Sequence, residues 1–258
     1  MSKYLKHSPT LITLVAIIGV LIASPIAQLP DYHEFADHSQ LMGIPHAMDV
    51  LSNVGFFIIG LWGWLYLKSD SAHSSLKAGW LGYRLFLFAL MLTAVGSTFY
   101  HWAPDNFRLI FDRLPITLAC VGLLVGVRGE TVGGSQRTYA YLMALYAVFS
   151  VGWWYATLQK GADDLGPYLI LQTLPLVLVP LWQTIYHAPR RDRQAFAIAL
   201  GFYVIAKVAE LNDHTILNSL SVISGHTLKH LLAAVAAGII VLRLVRRTKE
   251  AHYNKAQP

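Results

Sequence analysis

The sequence predicts an all-α polytopic membrane protein: a seven-transmembrane-helix bundle preceded by one extra N-terminal hydrophobic helix. Three observations predict it. The chain of 258 residues is 55% hydrophobic, with a mean hydropathy of +0.47. Only 13% of its residues are charged, against roughly 25% in soluble domains. Apolar runs of about membrane-crossing length recur between charged or turn-rich breaks.

Eight runs can be drawn, over about 10–29, 50–67, 82–102, 113–128, 138–157, 167–186, 195–211 and 224–245. The first follows Lys3 and Lys6, and its apolar stretch Leu11 to Ala23 also fits a secretory signal peptide. Pro25 and Pro30 crowd the cleavage position and no clean A-x-A triplet occurs, so an uncleaved helix is the preferred reading. The third run closes on Ser97 and His101, and Asp112 opens the fourth, with Pro115 in its first turn where a helix start tolerates proline. Pro175 and Pro180 predict a kink in the sixth. No strand alternation, low-complexity tract or internal repeat is evident. The chain divides into a hydrophobic N-terminal segment (1–30), a seven-helix domain (31–245) and a basic tail (246–258).

Charge sorting sets the expected orientation. With the N-terminus cytoplasmic, eight crossings put Lys3, Lys6, Lys68, Lys77, Arg84, Arg128, Arg137, Arg190, Arg191, Arg193, Arg243, Arg246, Arg247, Lys249 and Lys255 at cytoplasmic ends, 15 of 20 basic residues. The opposite ends hold Asp31, Glu34, Asp37, Asp49, Asp105, Asp112, Asp163, Asp164, Glu210 and Asp213, 10 of 14 acids. The net charge of +6 is therefore a topology signal and not a nucleic-acid footprint. Both termini are expected in the cytoplasm. The single cysteine, Cys120, excludes a disulfide scaffold.

Five polar side chains then stand out, because ionisable groups at membrane depth are costly and face the protein interior. Ser97/His101 and His226/His230 are each i,i+4 pairs, so each pair shares a helix face. On the expected topology these four and Asp112 lie in one outer layer. Three imidazoles suit Zn²⁺ and leave a fourth position for water, whose pKa the metal lowers to about 7. A carboxylate such as Asp112 can orient that water and shuttle its proton, and a hydroxyl such as Ser97 can donate to a developing oxyanion. Taken singly the residues have plainer readings. A membrane histidine can be a packing residue, Ser97 can bond back to the carbonyl four residues earlier, and Asp112 can pair with Arg113 at a helix start.

The pattern Ser97-x3-His101-x10-Asp112 with His226-x3-His230 resembles the alkaline ceramidase family, within a wider group of seven-helix membrane hydrolases that includes the adiponectin and progestin receptors. GSTFYHWAPDN (96–106), FDRLPIT (111–117), SGHTLKH (224–230) and GIPHAMDVLSNVGFF (43–57) look like its bacterial branch, and the resemblance covers about residues 31–245. It implies zinc held by His101, His226 and His230, Asp112 on the catalytic water and Ser97 on the oxyanion. It implies hydrolysis of an N-acyl sphingoid lipid to a fatty acid and a long-chain base, in a bacterial inner membrane with the site near the periplasmic face. Animal members bind Ca²⁺ through an acidic segment D-W-x-E-x-N. Here that segment reads Asp31-Tyr32-x-Glu34-x-Ala36, then Asp37, and Asp31, Glu34 and Asp37 could offer oxygen ligands or form a solvated acidic loop.

Other functions on the same residues are a non-ceramide lipid amidase, a receptor-like zinc bundle with little hydrolysis, a haem protein and an intramembrane serine protease. His226 and His230 share one helix face, unlike haem ligands that clamp from two helices, and Ser97 lacks a glycine-flanked nucleophile turn. Lys229 is expected to point off the metal face, and Trp153, Trp154 and Tyr155 to anchor the interface.

Overall fold

With so few charges and long apolar runs, the backbone can satisfy its polar groups within lipid only as helices. The computed structural model describes residues 6–67 and 74–255, with Lys3 and Lys68 outside them. The elements are α1 (Ser8–Ala23), a small hairpin β1 (Gln40–Leu41) and β2 (Ile44–Pro45), α2 (Ala47–Ser52), α3 (Val54–Tyr66), α4 (Ser74–Trp102), α5 (Asn106–Thr131), α6 (Arg137–Leu158), α7 (Gly166–Ile185), α8 (Arg190–Leu211), α9 (Asp213–Leu220) and α10 (Gly225–Lys255). Among the described residues seven helices are long and apolar enough to cross a membrane, α2 and α3 together counting as one. The seven-helix bundle with an extra N-terminal helix is the predicted fold class.

Several boundaries differ from the sequence reading. The first run is helical only over Ser8–Ala23, which at 1.5 Å per residue spans about 24 Å, short of the roughly 30 Å hydrocarbon thickness. The fourth run starts at Asn106, not 113, so Asp112 lies in the second turn of α5 and Pro115 inside the helix. The cause is local: Asp105 is an N-cap whose side chain accepts from the Arg108 amide at 2.7 Å and pairs with the Arg108 guanidinium. α7 runs through both Pro175 and Pro180. Residues 246–255 continue α10 and do not form a separate tail.

In lipid no hydrophobic effect drives helices together, so close approach of small residues carries the packing. α4 and α5 show this most. A Cβ on Gly82 would sit 2.1 Å from the Gly126 backbone nitrogen, and one on Gly96 only 1.8 Å from the Phe111 carbonyl oxygen. Around this hairpin α3, α6 and α7 pack on its flanks, α10 lies between α3 and α8, and α1 lies along α7. At the end of the bundle away from the histidines, buried charges pair: Arg243 Nε donates to Asp192 Oδ1 at 2.5 Å and Arg247 reaches Glu130 at 2.8 Å. Both arginines had read as charges at the cytoplasmic ends of the crossings.

The segment between α1 and α2 is laid across the histidine end as a strap. Asp164, in the α6–α7 loop, accepts from the amides of Ile26 and Gly166, from Trp153 Nε1 and from Ser24 Oγ. Asp163 accepts from the Gln28 amide at 2.7 Å. Partial burial alone would raise the Asp164 pKa, but these donors hold it below the usual carboxylate value. Trp154, which had read as an interfacial anchor, is fully buried, with the Arg113 guanidinium 4.0 Å from its ring centroid.

Two predictions follow from these contacts. Gly82→Ala should cost about 1–3 kcal/mol through overpacking, seen as a lower thermal midpoint in detergent. Gly152→Ala, with nothing within 4 Å of its added Cβ, should be neutral or stabilising; equal midpoints for the two would mean α4 and α5 do not touch. Because the folded Asp164 pKa is depressed, its contribution is present above the unfolded value of about 4 and lost as pH falls through the folded one. Protease cleavage between residues 24 and 38 should therefore accelerate below about pH 4 in the wild type, and already at neutral pH in Asp164→Asn.

Candidate metal centre

His101 ends α4 and is fully buried, its ring 4.6 Å from that of Phe35 and 4.9 Å from that of Tyr100. Its Nδ1 has no hydrogen-bond partner, so packing sets its orientation. His226 and His230 occupy the first turns of α10. That start is fixed by Asp213, whose Oδ1 accepts the His226 amide at 2.7 Å while Oδ2 accepts the Ala36 amide at 2.9 Å. One carboxylate thus holds both α10 and the strap.

His230 is oriented by Ser52, whose Oγ lies 2.8 Å from its Nδ1. The Ser52 hydroxyl donates to the Asp49 carbonyl at 2.9 Å, so toward His230 it accepts. His230 therefore carries its proton on Nδ1 and presents Nε2 as a lone pair. Asp49 itself binds α2 to α10, accepting from Thr227 Oγ1 at 2.5 Å and from Ser224 Oγ at 3.3 Å.

The three rings converge. His101 Nε2 and His226 Nε2 are 3.1 Å apart, and one nitrogen from each histidine lies within 4.8 Å of the others. Tetrahedral zinc with arms of about 2.0–2.1 Å separates its nitrogen ligands by about 3.3 Å. Two ring nitrogens facing each other at this spacing, and a third with its lone pair set by Ser52, fit a metal ion as donor set and as geometry. Among the described residues no other group of three histidine, cysteine or carboxylate ligands converges in this way. Asp31, Glu34 and Asp37, open to reading as oxygen ligands or as a solvated acidic loop, are not among the convergent ligand groups of the described residues. Asp37 accepts the amides of Ser39 and Asp49 at 2.9 and 3.0 Å, and Asp31 and Glu34 are exposed.

Ser97 and Asp112 line the same cavity as His230. Gly96 lets α4 reach the Phe111 carbonyl, and this brings Ser97 beside the Asp112 carboxyl on the neighbouring helix. Ser97 Oγ is buried and makes no hydrogen bond of standard geometry, so it does not bond back to the carbonyl of Thr93. The cavity encloses about 1100 Å³ of atom-free space, part of it open, and runs from Ser97 and His230 to Phe86 and Ile240. Ten residues of α10 separate His230 from Ile240, a depth of about 15 Å. Its lower walls are apolar.

Lys229 departs from the expectation. It points into the site, with Nζ 2.9 Å from His226 Nε2 and 2.9 Å from Glu210 Oε1, and it lines the cavity. Its position between two histidines of one face suggested the opposite, but a long side chain can reach back around the helix to a carboxylate on α8. Sequence reasoning also passed over Ser52, Asp49 and Phe35. Asp49 and Ser52 carried a usable signal, a polar i,i+3 pair at the start of an apolar run, like the pairs that were noticed. Phe35 carried none, because its position over the rings depends on the course of the strap.

Comparison with family models, curated proteins and solved structures finds no match to this chain.

Ser52→Ala frees the His230 ring to turn and leaves its Nδ1 proton without an acceptor. Metal affinity in a chelator competition should fall about 10–100-fold, with the fold intact by size exclusion. Unchanged affinity would remove Ser52 from the site.

Proposed function

We propose that this chain is a zinc-dependent membrane hydrolase that cleaves the amide bond of ceramide-like N-acyl sphingoid lipids, releasing a fatty acid and a long-chain base. The observation that carries the reading is a buried triad of convergent imidazoles at the head of an apolar cavity, with Ser97 and Asp112 in the same wall. The resemblance of these residues to the alkaline ceramidases supplies the substrate class.

His101, His226 and His230 would hold the zinc, which when bound supplies a Lewis acid that makes water nucleophilic near neutral pH. Asp112, in the cavity wall with Ser97 and His230, would take the proton of the attacking water and return it to the departing amine as the carbon–nitrogen bond breaks. The Ser97 hydroxyl, buried beside the Asp112 carboxyl, would donate to the carbonyl oxygen as it becomes an oxyanion. Phe35 lies 4.6 Å and 4.5 Å from the rings of His101 and His226 and shields them from water on the strap side. The apolar walls, among them Phe86, Leu90 and Ile240, fit an acyl chain. α7 and α8 both line the cavity and pack loosely on each other, which supports entry of the lipid sideways from the bilayer.

Hydrolysis of a panel of ceramides, phytoceramides and N-acyl amino-acid lipids by zinc-loaded protein in detergent, scored by mass spectrometry, tests the reading. A long-chain base should be released by the wild type and not by His230→Ala, which should also lose zinc. Turnover by His230→Ala would sink it. Asp112→Asn should retain zinc and lose about 10²–10⁴-fold in kcat.

A further inference from the structure

Lys229 is a charged residue of the cavity that the hydrolytic reading does not use. The cavity wall itself is charge-balanced, with Lys207 and Lys229 set against Asp112 and Glu210. What sets Lys229 apart is where its ammonium is held. Glu210 Oε1 accepts from Nζ at 2.9 Å, and Glu210 is steadied in turn by Lys207, whose Nζ lies 2.5 Å from Oε2. A second bond runs from Lys229 Nζ to His226 Nε2, also at 2.9 Å. An ammonium only donates, so the ring nitrogen accepts, with the lone pair that also faces His101 Nε2 at 3.1 Å.

That nitrogen has one lone pair to give. A metal ion held by His101, His226 and His230 takes it, and the bond from Lys229 to His226 ends. Glu210 still holds the ammonium at the edge of the space on which the three rings converge. A buried N–H without an acceptor is costly, so another acceptor has to meet it there. Amide hydrolysis brings one: the carbonyl oxygen, which gathers negative charge as water adds to its carbon.

We propose that Lys229 is a further catalytic residue, whose ammonium donates to the amide carbonyl oxygen as it becomes an oxyanion, with Glu210 and Lys207 as its positioning residues. The inference rests on the amidase reading and adds a charged donor beside Ser97. As the water oxygen bonds to the carbonyl carbon, the π pair moves onto the carbonyl oxygen, and Lys229 meets it without giving up a proton. When that pair returns, the carbon–nitrogen bond breaks, its electrons go to nitrogen, and the proton taken from water follows from Asp112. A hydrogen bond from an ammonium strengthens as its acceptor becomes charged, so it favours the transition state over the bound amide.

The test uses zinc-loaded protein and two ligands of one chain length, palmitate and palmitamide. The first carries an anionic oxygen where the oxyanion forms, and the second a neutral carbonyl. Binding is read by thermophoresis on the wild type and Lys229→Met, with zinc content matched by elemental analysis. Lys229→Met should weaken palmitate about tenfold, the effect of one charge-assisted hydrogen bond, and leave palmitamide within about twofold. If that variant does not fold, Lys229→Gln, which keeps a hydrogen bond to Glu210, should show the same loss. On the amide substrate kcat should fall about 10²–10³-fold, the size of a lost oxyanion donor, with KM little changed. A lysine that only ties α10 to α8 would move both ligands alike or neither, and either result overturns the proposal. Failure of palmitate to bind the wild type overturns it as well. Repeating the comparison in Asp112→Asn isolates a route through that carboxylate, which is close enough to act on the ammonium. A palmitate loss that vanishes there also overturns the proposal. Amide turnover by the wild type with unaltered palmitate selectivity in Lys229→Met would leave the amidase reading standing without this residue. Selectivity that depends on Lys229, with no lipid amide cleaved by the wild type, would remove the amidase reading and the catalytic role with it.

Discussion

A polar side chain at membrane depth has only the protein to bond with, and the whole arrangement of this bundle answers that constraint. The partners are found in two layers. At one end Ser52 accepts the His230 ring proton, Asp49 the Thr227 hydroxyl and Asp213 the His226 amide, and Glu210 pairs with two lysines. At the other, Glu130 and Asp192 receive Arg243 and Arg247. Between the layers the walls are apolar and leave a cavity. Each layer ties helices that are far apart in sequence: α2 to α10 at the first, α5 and α8 to α10 at the second.

The layers hold their geometry because the central helices cannot slide. α4 meets α5 through glycines where any side chain would strike backbone, and one of these contacts, at Gly96, lies one residue from Ser97. The register of the two helices therefore places a hydroxyl beside a carboxyl. The strap adds the remaining side. It is tied at Asp163 and Asp164 near its start and at Asp213 further on, and it carries Phe35 onto two of the three imidazoles.

Much of this was legible in the residues. The seven crossings follow from apolar length, and the pairs Ser97/His101 and His226/His230 share faces because a helix repeats every 3.6 residues. Asp112 was recognised, but the start of its helix was read too late. A charged stretch such as Asn106 to Asp112 looks like a loop until its charges are seen to be capped or turned inward. Lys229 was misdirected for the same reason: Cβ direction is periodic, whereas the end of a four-carbon stem goes to its partner, here on α8. Ser52 and Phe35 depend on tertiary contacts that no local pattern encodes. The acidic N-terminal segment shows the converse, since carboxylates close in sequence need not converge. Asp37 is spent on the amides of Ser39 and Asp49.

The ionic layer at the far end has a further consequence. None of Arg243, Arg247, Asp192 and Glu130 is among the residues lining the cavity, whose last wall residue on α10 is Ile240. The turns of α10 beyond it carry the buried Val241, Leu244 and Val245. The ion pairs that tie α5 and α8 to α10 are thus separate from the cavity wall, and a substitution in that wall leaves them in place.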